Sequence, residues 1–441
     1  MAKSKKTNVL IIGSGGREHA LGWKLRQSKG LGQLYFAPGN AGTATIGKNV
    51  ELPVEPVDTR TGDAIDYFCR QHGIGLVVVG PEDPLAEGLV DRLHESTYAK
   101  QGGLVFGPTQ AAAQLEADKA YAKQLMRGCA IPTAESRTFQ EYDAAKSYIE
   151  NRETPVVVKA AGLAKGKGAI VCDDTNQALS ALKRCMVDRE FGEAGETVVI
   201  EERLAGEEVS IMALVDGRHI YMLDAAQDHK PVDEGDTGPN TGGMGAYSPT
   251  PLADDKLLAE VERQILVPVV DAMRREQMDY HGVLYAGLML TAGGPKVLEF
   301  NARFGDPEVQ PLMMRLKGDL LELMTATCEG RLDEVQIDWD PRPCCCIVMA
   351  SGGYPGKYEK HLPIRGLDAA GAMDEVEVFH AGTTADKSGN ALTAGGRVLN
   401  VCALGDTLAA ARERALEACD QIQFDHAHYR RDIGFRVLEK T

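Results

Sequence analysis

The segment KVLEFNARFGDPEVQP, Lys296 to Pro311, carries the pair of residues best suited to chemistry. Glu299 and Asn301 stand two apart in an apolar run that reads as a strand, so both side chains fall on one face. A carboxylate beside an amide oxygen, with no His or Cys near, suits a hard cation such as Mg²⁺. A half-buried edge strand with two solvent-facing polar residues would show the same alternation, so other segments must decide.

Two glycine-rich turns bear on the question. GLAKGKGA, Gly162 to Ala169, is one residue short of a Walker loop, has Gly168 where Ser or Thr belongs, and precedes a strand instead of a helix. As a hairpin carrying Lys165 and Lys167 it can close over a triphosphate from above. Lys159 ends the apolar strand before it; a lysine there snorkels to solvent unless a polyanion lies beside it. GSGGRE, Gly13 to Glu18, fails the dinucleotide fingerprint because Glu18 stands where the third glycine is needed. It remains either a plain tight turn or a helix start whose N–H groups, with Arg17, hold a phosphate. EERLAGEEVS, Glu201 to Ser210, follows a strand whose end can read an adenine edge, with Glu208 placed for ribose hydroxyls. DTGPNTGGMGAYSP, Asp236 to Pro249, reads as a long loop of small residues suited to close backbone approach to a ligand.

These residues need positioning elements. NVLIIG, QLYFAPG and GLVVVGPE are apolar runs without polar alternation, as in a parallel sheet covered on both faces, where ligands bind at the carboxyl ends. After GPT at Gly107 to Thr109, Thr109 caps one helix, QAAAQLEADKAYAKQLMR, which Gly128 ends. A small α/β unit spans about 131–195. Two hairpins follow, one turning at Asp216-Gly217 and one at Gly293-Gly294. Beyond about Arg331 the pattern is β-rich, closed by the helix LAAARERALEACDQI.

With 441 residues the chain is long enough for several domains. A net charge of −16 disfavours nucleic acid, and no apolar run reaches membrane-spanning length. The basic start before NVLIIG fits a first strand better than a signal peptide. Ten cysteines without CxxC pairs, including consecutive Cys344, Cys345 and Cys346, read as buried thiols of a reducing cytoplasm.

The order of these pieces resembles the ATP-grasp ligases: a helix lysine (Lys119), a strand lysine, a glycine lid, an EExL hinge with a following Glu, and a terminal E-x-N. Within them the chain is similar to the phosphoribosylamine–glycine ligase (glycinamide ribonucleotide synthetase) family. GGREHAL, APGNAGT, VGPEDPL, FGPT, QDHK, DTGPNTGGMGAYSP, EFNARFGDPE, ASGGYPG and HAGT carry the resemblance. It implies a mixed α/β and α+β multidomain fold. An N-terminal parallel-sheet domain (1–108) precedes an ATP-grasp core (109–330, lid about 131–195) and a β-rich C-terminal domain (331–441). It implies ATP and Mg²⁺ or Mn²⁺ as cofactors, with Glu299 and Asn301 on the metal. Lys119, Lys159, Gly166, Lys167 and Gly168 match ATP-phosphate contacts, Glu201 and Leu204 the adenine hinge, and Glu208 the ribose carboxylate. Arg303 and Lys159 are the implied catalytic cations. The implied substrate contacts are Gly15, Gly16, Arg17, Asn40, Pro81 and Glu82; Asp228 and Lys230; Asn240, Thr241 and Gly242; and Gly305 and Asp306. Gly287 stands where many relatives carry a further acidic ligand, which leaves any second metal ion without assigned ligands.

The implied reaction joins glycine to 5-phosphoribosylamine through glycyl phosphate, in de novo purine synthesis. The expected protein is a cytoplasmic monomer acting on small molecules, with at most a transient contact with the preceding pathway enzyme. Two other readings stay open: an ATP-grasp ligase or carboxylase with another acceptor, and a nucleotide-binding protein without turnover.

Overall fold

The structure is a computed structural model and describes residues 6–152, 154–164 and 166–439. Lys165, one of the two lid lysines named above, lies outside them. Five strands, β1 (Thr7–Gly13), β2 (Leu31–Pro38), β3 (Lys48–Asn49), β4 (Ile74–Val79) and β5 (Leu104–Phe106), form a parallel sheet in the order β3-β2-β1-β4-β5. Successive side chains of β1 enter opposite cores. Val9 and Ile11 pack with Leu21 and Leu25 of the helix Gly16–Leu25. Leu10 and Ile12 pack with Ile65 and Cys69 of the helix Thr59–His72. Burial on both faces is why this strand reads as an unbroken apolar run.

The helix expected to run unbroken from Gln110 to Gly128 is two helices, Gln110–Ala117 and Lys119–Gly128. Asp118 separates them with extended backbone, and its carboxylate accepts from the N–H groups of Ala120 and Tyr121. An aspartate placed to cap a helix outweighs the helical pattern around it. The break puts Lys119 at a helix start.

Two antiparallel sheets follow. The lid sheet contains β6 (Ser136–Phe139), β7 (Val156–Ala160), β8 (Ala169–Cys172) and β9 (Val198–Glu202) in the order β6-β9-β7-β8. β10 (Glu207–Asp216) and β11 (Ile220–Met222) form the first expected hairpin. The loop expected over Asp236–Pro249 instead contains strand. After β12 (Gln227–Asp228) and β13 (Pro231–Asp233), β14 (Thr237–Asn240) pairs with β13, and the buried β15 (Gly245–Ser248) pairs with β12. The small residues there serve close strand packing as well as a turn: Gly245 leaves no room for a Cβ beside the Cys346 carbonyl and Ile433. The second hairpin is β16 (His281–Thr291) and β17 (Gly294–Asn301), completing the sheet β11-β10-β16-β17.

β18 (Cys344–Ser351), β19 (Val376–His380), β20 (Thr383–Ala385), β21 (Ala391–Thr393), β22 (Arg397–Leu404) and β23 (Ala427–His428) complete the strands. One sheet runs β12-β15-β18-β22-β19, so segments from residues 227–248 join the C-terminal strands. Cys344 and Cys346 face one core and Cys345 the other, all fully buried, as expected of small apolar residues. The first of these cores also takes in Val9 and Ile11 of β1, Met212 and Leu214 of β10, and Leu312 and Met313 of the helix Val309–Arg315. One continuous apolar core thus joins the first sheet, the β10–β16–β17 sheet and the C-terminal sheet.

Candidate active site

The first sheet, the β6-β9-β7-β8 sheet, the β11-β10-β16-β17 sheet and the C-terminal sheet border one cavity of about 1200 Å³. That exceeds the usual span of a single small-ligand pocket and leaves room for more than one substrate. Its walls are chemically divided. Met126, Val157, Val171, Leu204, Met289 and Leu298 supply an apolar slot. Lys119, Lys123 and Lys159 supply positive charge beside it.

The three lysines are fixed by specific partners. Glu201, on β9, lies between two of them, 3.0 Å from the Lys123 Nζ and 3.0 Å from the Lys159 Nζ. Lys159 also donates to the Leu298 carbonyl at 3.0 Å. Lys119 donates from Nζ to the Gly162 carbonyl at 2.9 Å and from its backbone to Ala161 at 2.8 Å, which ties it to the start of the glycine loop. Burial lowers the pKa of Lys119. Burial outweighs Glu201 at Lys123 and brings that ammonium to about 8. The Glu201 carboxylate is thus committed to lysines, and only its backbone remains for an adenine edge.

Glu299 and Asn301 face this cavity together. A bulge at Leu298 sets their direction: Val297 pairs with Leu288 while Glu299 pairs with Gly287. Val297 and Phe300 therefore both reach the core under the sheet, although three apart, and Glu299 and Asn301 take the other face. Neither side chain makes a hydrogen bond or ion pair among the described residues. Burial pushes the Glu299 carboxyl up, but Lys230, Lys159 and Lys119 overcome it and hold it below its ordinary value. Two free oxygen ligands beside a cluster of buried lysines fit a cation that takes its other ligands from a bound polyanion and water. Among the described residues, no group of three or more His, Cys, Asp or Glu is placed to hold a metal. Gly287 lies directly opposite Glu299, and a Cβ there would stand 3.4 Å from the Glu299 Cγ.

Arginines occupy the opposite wall, each with acidic partners. Arg303 lies 2.8 Å from Glu116 and 3.2 Å from Glu82, and Arg17 lies 2.6 Å from Glu18 and 3.9 Å from Glu82. Burial raises the Glu116 pKa, whereas at Glu82 the two arginines overcome burial and lower it. Arg397, from β22, donates to the Gly242 and Asp306 carbonyls, both at 2.6 Å, and to the Asp306 carboxylate at 3.0 Å. Glu208 pairs with Lys230 at 2.8 Å on the cavity wall. Pro81, Asn240, Gly166 and Gly168 also reach the cavity.

Five expected residues do not line it. The Gly15 N–H, offered above to a phosphate, donates to the Glu18 carboxylate at 2.6 Å. That carboxylate folds into the turn: a Cβ on Gly13, Gly15 or Gly80 would collide with it. The turn thus holds an internal anion where a ligand's anion would sit. Gly16 packs against Asn400 and Gln310. Asn40 has no capacity left for a ligand. Its amide donates to the Ser14 and His380 carbonyls, both at 2.8 Å, and its side-chain oxygen accepts from Gly42 and Thr43. Lys167, in the loop before β8, turns outward to the Pro355 carbonyl at 3.0 Å and lies 5.9 Å over the Tyr354 ring. Gly305 is filled in by Glu308 and Tyr285. Thr241 borders the cavity, but its hydroxyl donates to the Lys230 carbonyl and accepts from the Gly243 N–H.

Several wall residues escaped the sequence reading. Lys123 stands four residues after Lys119 on one helical face, a spacing that was available as a signal. Arg397, Glu116 and Glu308 reach the cavity only through tertiary packing, and no local pattern marks them.

Comparison with known proteins agrees with this architecture. Family models described as the N domain, ATP-grasp (A) domain and C domain of phosphoribosylglycinamide synthetase match residues 7–116, 117–309 and 344–436. The chain is 52% identical over 440 residues to a phosphoribosylamine–glycine ligase of Rhodopirellula baltica, covering 98% of each chain. It is 50% identical over 436 residues to one of Allochromatium vinosum, covering 98% of this chain and 99% of that one. A crystal structure of phosphoribosylamine–glycine ligase from Thermotoga maritima superposes with a TM-score of 0.81 at 31% identity, over 97% of this chain and all (100%) of that one. The biotin carboxylase domain of a Hydrogenobacter thermophilus 2-oxoglutarate carboxylase shares the fold at 14% identity, with a TM-score of 0.70 over 97% of this chain and 92% of that domain.

Proposed function

Because the chain belongs to the phosphoribosylglycinamide synthetase family, we propose that it joins glycine to 5-phosphoribosylamine. ATP is cleaved to ADP and phosphate, and the step belongs to de novo purine synthesis. The observation that carries the reading is the juxtaposition of Lys119 and Lys159 with the free Glu299–Asn301 pair across one cavity. The apolar slot suits adenine, and the lysines suit the phosphates.

The chemistry follows from what a carboxylate lacks. Glycine's carboxylate is a poor electrophile, so an oxygen first attacks the γ-phosphate and forms glycyl phosphate. The amine of phosphoribosylamine then displaces phosphate. No side chain becomes covalently attached. Lys119 and Lys159 hold and neutralise the phosphate chain, and Glu201 keeps Lys159 in place. Glu299 and Asn301 would hold Mg²⁺ or Mn²⁺, which when bound neutralises charge on the transferring phosphoryl group. Arg303, Arg17 and Arg397 offer cationic walls for the acceptor's phosphate, now balanced by Glu82, Glu116, Glu18 and Asp306. The glycine loop and the lid sheet above the slot keep water from the acyl phosphate. All ten cysteines are free, which supports a reducing compartment, the cytoplasm.

An ADP-release assay over a panel of acids and amines tests the reading. Turnover is expected with glycine and phosphoribosylamine together. Turnover with bicarbonate or another amino acid in place of glycine, or none with any acid, would overturn it.

A further inference from the structure

Arg303 borders the cavity, and all three of its guanidinium nitrogens already touch the protein. Nε lies 3.2 Å from Glu82, one terminal nitrogen lies 2.8 Å from Glu116, and the other donates to the Phe304 carbonyl at 3.2 Å. A guanidinium carries five N–H groups, so some are left for a ligand. The two acids differ in how firmly they are placed. The Glu82 side chain is 22% exposed and also lies 3.9 Å from Arg17, whereas that of Glu116 is 8% exposed. The second Glu116 oxygen accepts from the Ala302 N–H at 2.7 Å. The β16–β17 ladder ends at the Tyr285–Asn301 pair. Ala302 stands just past it, and Glu116 takes up the N–H that the ladder leaves over.

Glu116 is carried by the helix Gln110–Ala117, whose Ala113 shares a core with Ala302. A rigid element thus fixes the carboxylate against the end of the metal strand. The charges acting on Glu116 are those of Arg303, Arg17 and Glu82, and its own acts on Lys119 and Tyr280. Arg303 is held by Glu116, Glu82, Glu308 and Tyr285, and its charge reaches Arg397 and Glu299. A buried ion pair is weak evidence for stability. One that sets the direction of a cavity cation has another use, because a misplacement of about 1 Å at a reacting centre can cost about 100-fold in rate. Resting on the function proposed above, we propose that Glu116 is the positioning residue that aims Arg303 at the transferring phosphoryl group. Its carboxylate holds both the guanidinium and the backbone one residue beyond Asn301. Glu82 is the partner that an incoming anion displaces, and Glu116 is the partner that Arg303 keeps.

The test is a double-mutant cycle in steady-state ADP release with glycine and phosphoribosylamine: wild type, Glu116→Gln, Arg303→Met and the double variant. Gln keeps the length and can still accept from Ala302, but it then turns an NH₂ group toward the guanidinium. Glu116→Gln is expected to lower kcat about 10- to 100-fold. The KM values for ATP and glycine and the Mg²⁺ half-saturation should stay within about threefold. In the Arg303→Met background the same change should lower kcat by no more than about twofold, since the group that Glu116 aims is gone. A merely structural role would cost the same in both backgrounds. A wild-type kcat in Glu116→Gln overturns the proposal, and so does a full further loss on top of Arg303→Met. A Mg²⁺ half-saturation that rises as kcat falls also overturns it, because Glu116 would then act through Asn301. Calorimetric binding of a non-hydrolysable ATP analogue checks folding. If Glu116→Gln fails it, the double variant, which removes both charges of the pair, is compared with Arg303→Met by the same criterion. Failure of both to bind the analogue makes Glu116 a structural residue and overturns the proposal. The function reading fails separately, if wild type releases no ADP with glycine and phosphoribosylamine.

Discussion

Replacing Glu201 by Gln removes the one carboxylate that holds Lys123 and Lys159, each 3.0 Å away. Breaking a buried ion pair usually costs about 3–5 kcal/mol because a charge is stranded. Here the stranded charge can escape. Lys123 already sits at about 8 against an ordinary 10.5, and without Glu201 it falls further and sheds its proton. Linkage limits that extra cost to about 2 kcal/mol at pH 6.5, about 1 at pH 7.5 and almost nothing at pH 9. Adding weakened charge-assisted contacts gives a total loss of about 2–4 kcal/mol near neutrality. The sign is definite. A lysine with a lowered folded pKa gains stability as pH rises from its folded to its unfolded value, from about 8 to 10.5 in wild type. In Glu201→Gln that rise begins at lower pH, so the gap to wild type narrows between pH 6.5 and 9. Urea denaturation at several pH values measures it. ATP should restore part of the loss, since its phosphates give Lys159 a new counter-charge. A gap that is absent, or that stays constant across this range, would refute the reasoning.

Other perturbations give separate expectations. Glu299→Gln or Asn301→Ala should lower kcat by a few kcal/mol equivalent, on the order of 100-fold, and raise the Mg²⁺ requirement; near-wild-type turnover at ordinary Mg²⁺ would remove the pair from the site. Gly80→Ala drives a methyl into the Glu18 carboxylate and should cost about 1–3 kcal/mol in a denaturation midpoint, whereas a plain solvent-filled turn would tolerate it. His19 is buried, accepts from the His380 N–H at 2.8 Å, and is lowered by burial to about 3. Its native state therefore stays neutral while the unfolded chain protonates, so stability is lost as pH falls below about 6.5, by about 2 kcal/mol from pH 7 to 5. His380 and His229, lowered by burial to about 4 and about 3, add losses of the same sign, so His19→Gln should lessen the slope by its own share of about 2 kcal/mol without abolishing it, measured as denaturation midpoints across the same range.

What was legible in the sequence was what local pattern encodes. The apolar run at Val9 to Ile12 declares a strand buried on both faces, and both faces are buried. The two-residue spacing of Glu299 and Asn301 puts them on one face as expected, but the bulge at Leu298 that turns this face to the cavity has no local signature. Asp118 is a visible capping residue hidden inside an otherwise helical pattern, so the break before Lys119 was missed. Glu18 defeats the dinucleotide fingerprint by sequence. Only the fold shows that its carboxylate fills the turn and accepts from the Gly15 N–H that the sequence offers to a phosphate. The resemblance implies Asn40 as a substrate contact, yet its side-chain hydrogen bonds all go to the protein. Arg397 was invisible because it lies more than 90 residues from Asn301 in the chain and meets the cavity only through the shared core.

The central claim is that glycine's own carboxylate takes up the γ-phosphate before the amine attacks. Glycine labelled with ¹⁸O in its carboxylate, turned over with ATP and phosphoribosylamine, tests it most directly. The account predicts one labelled oxygen in inorganic phosphate per turnover and none in ADP. Label retained wholly in the product, or released only to water, would contradict it.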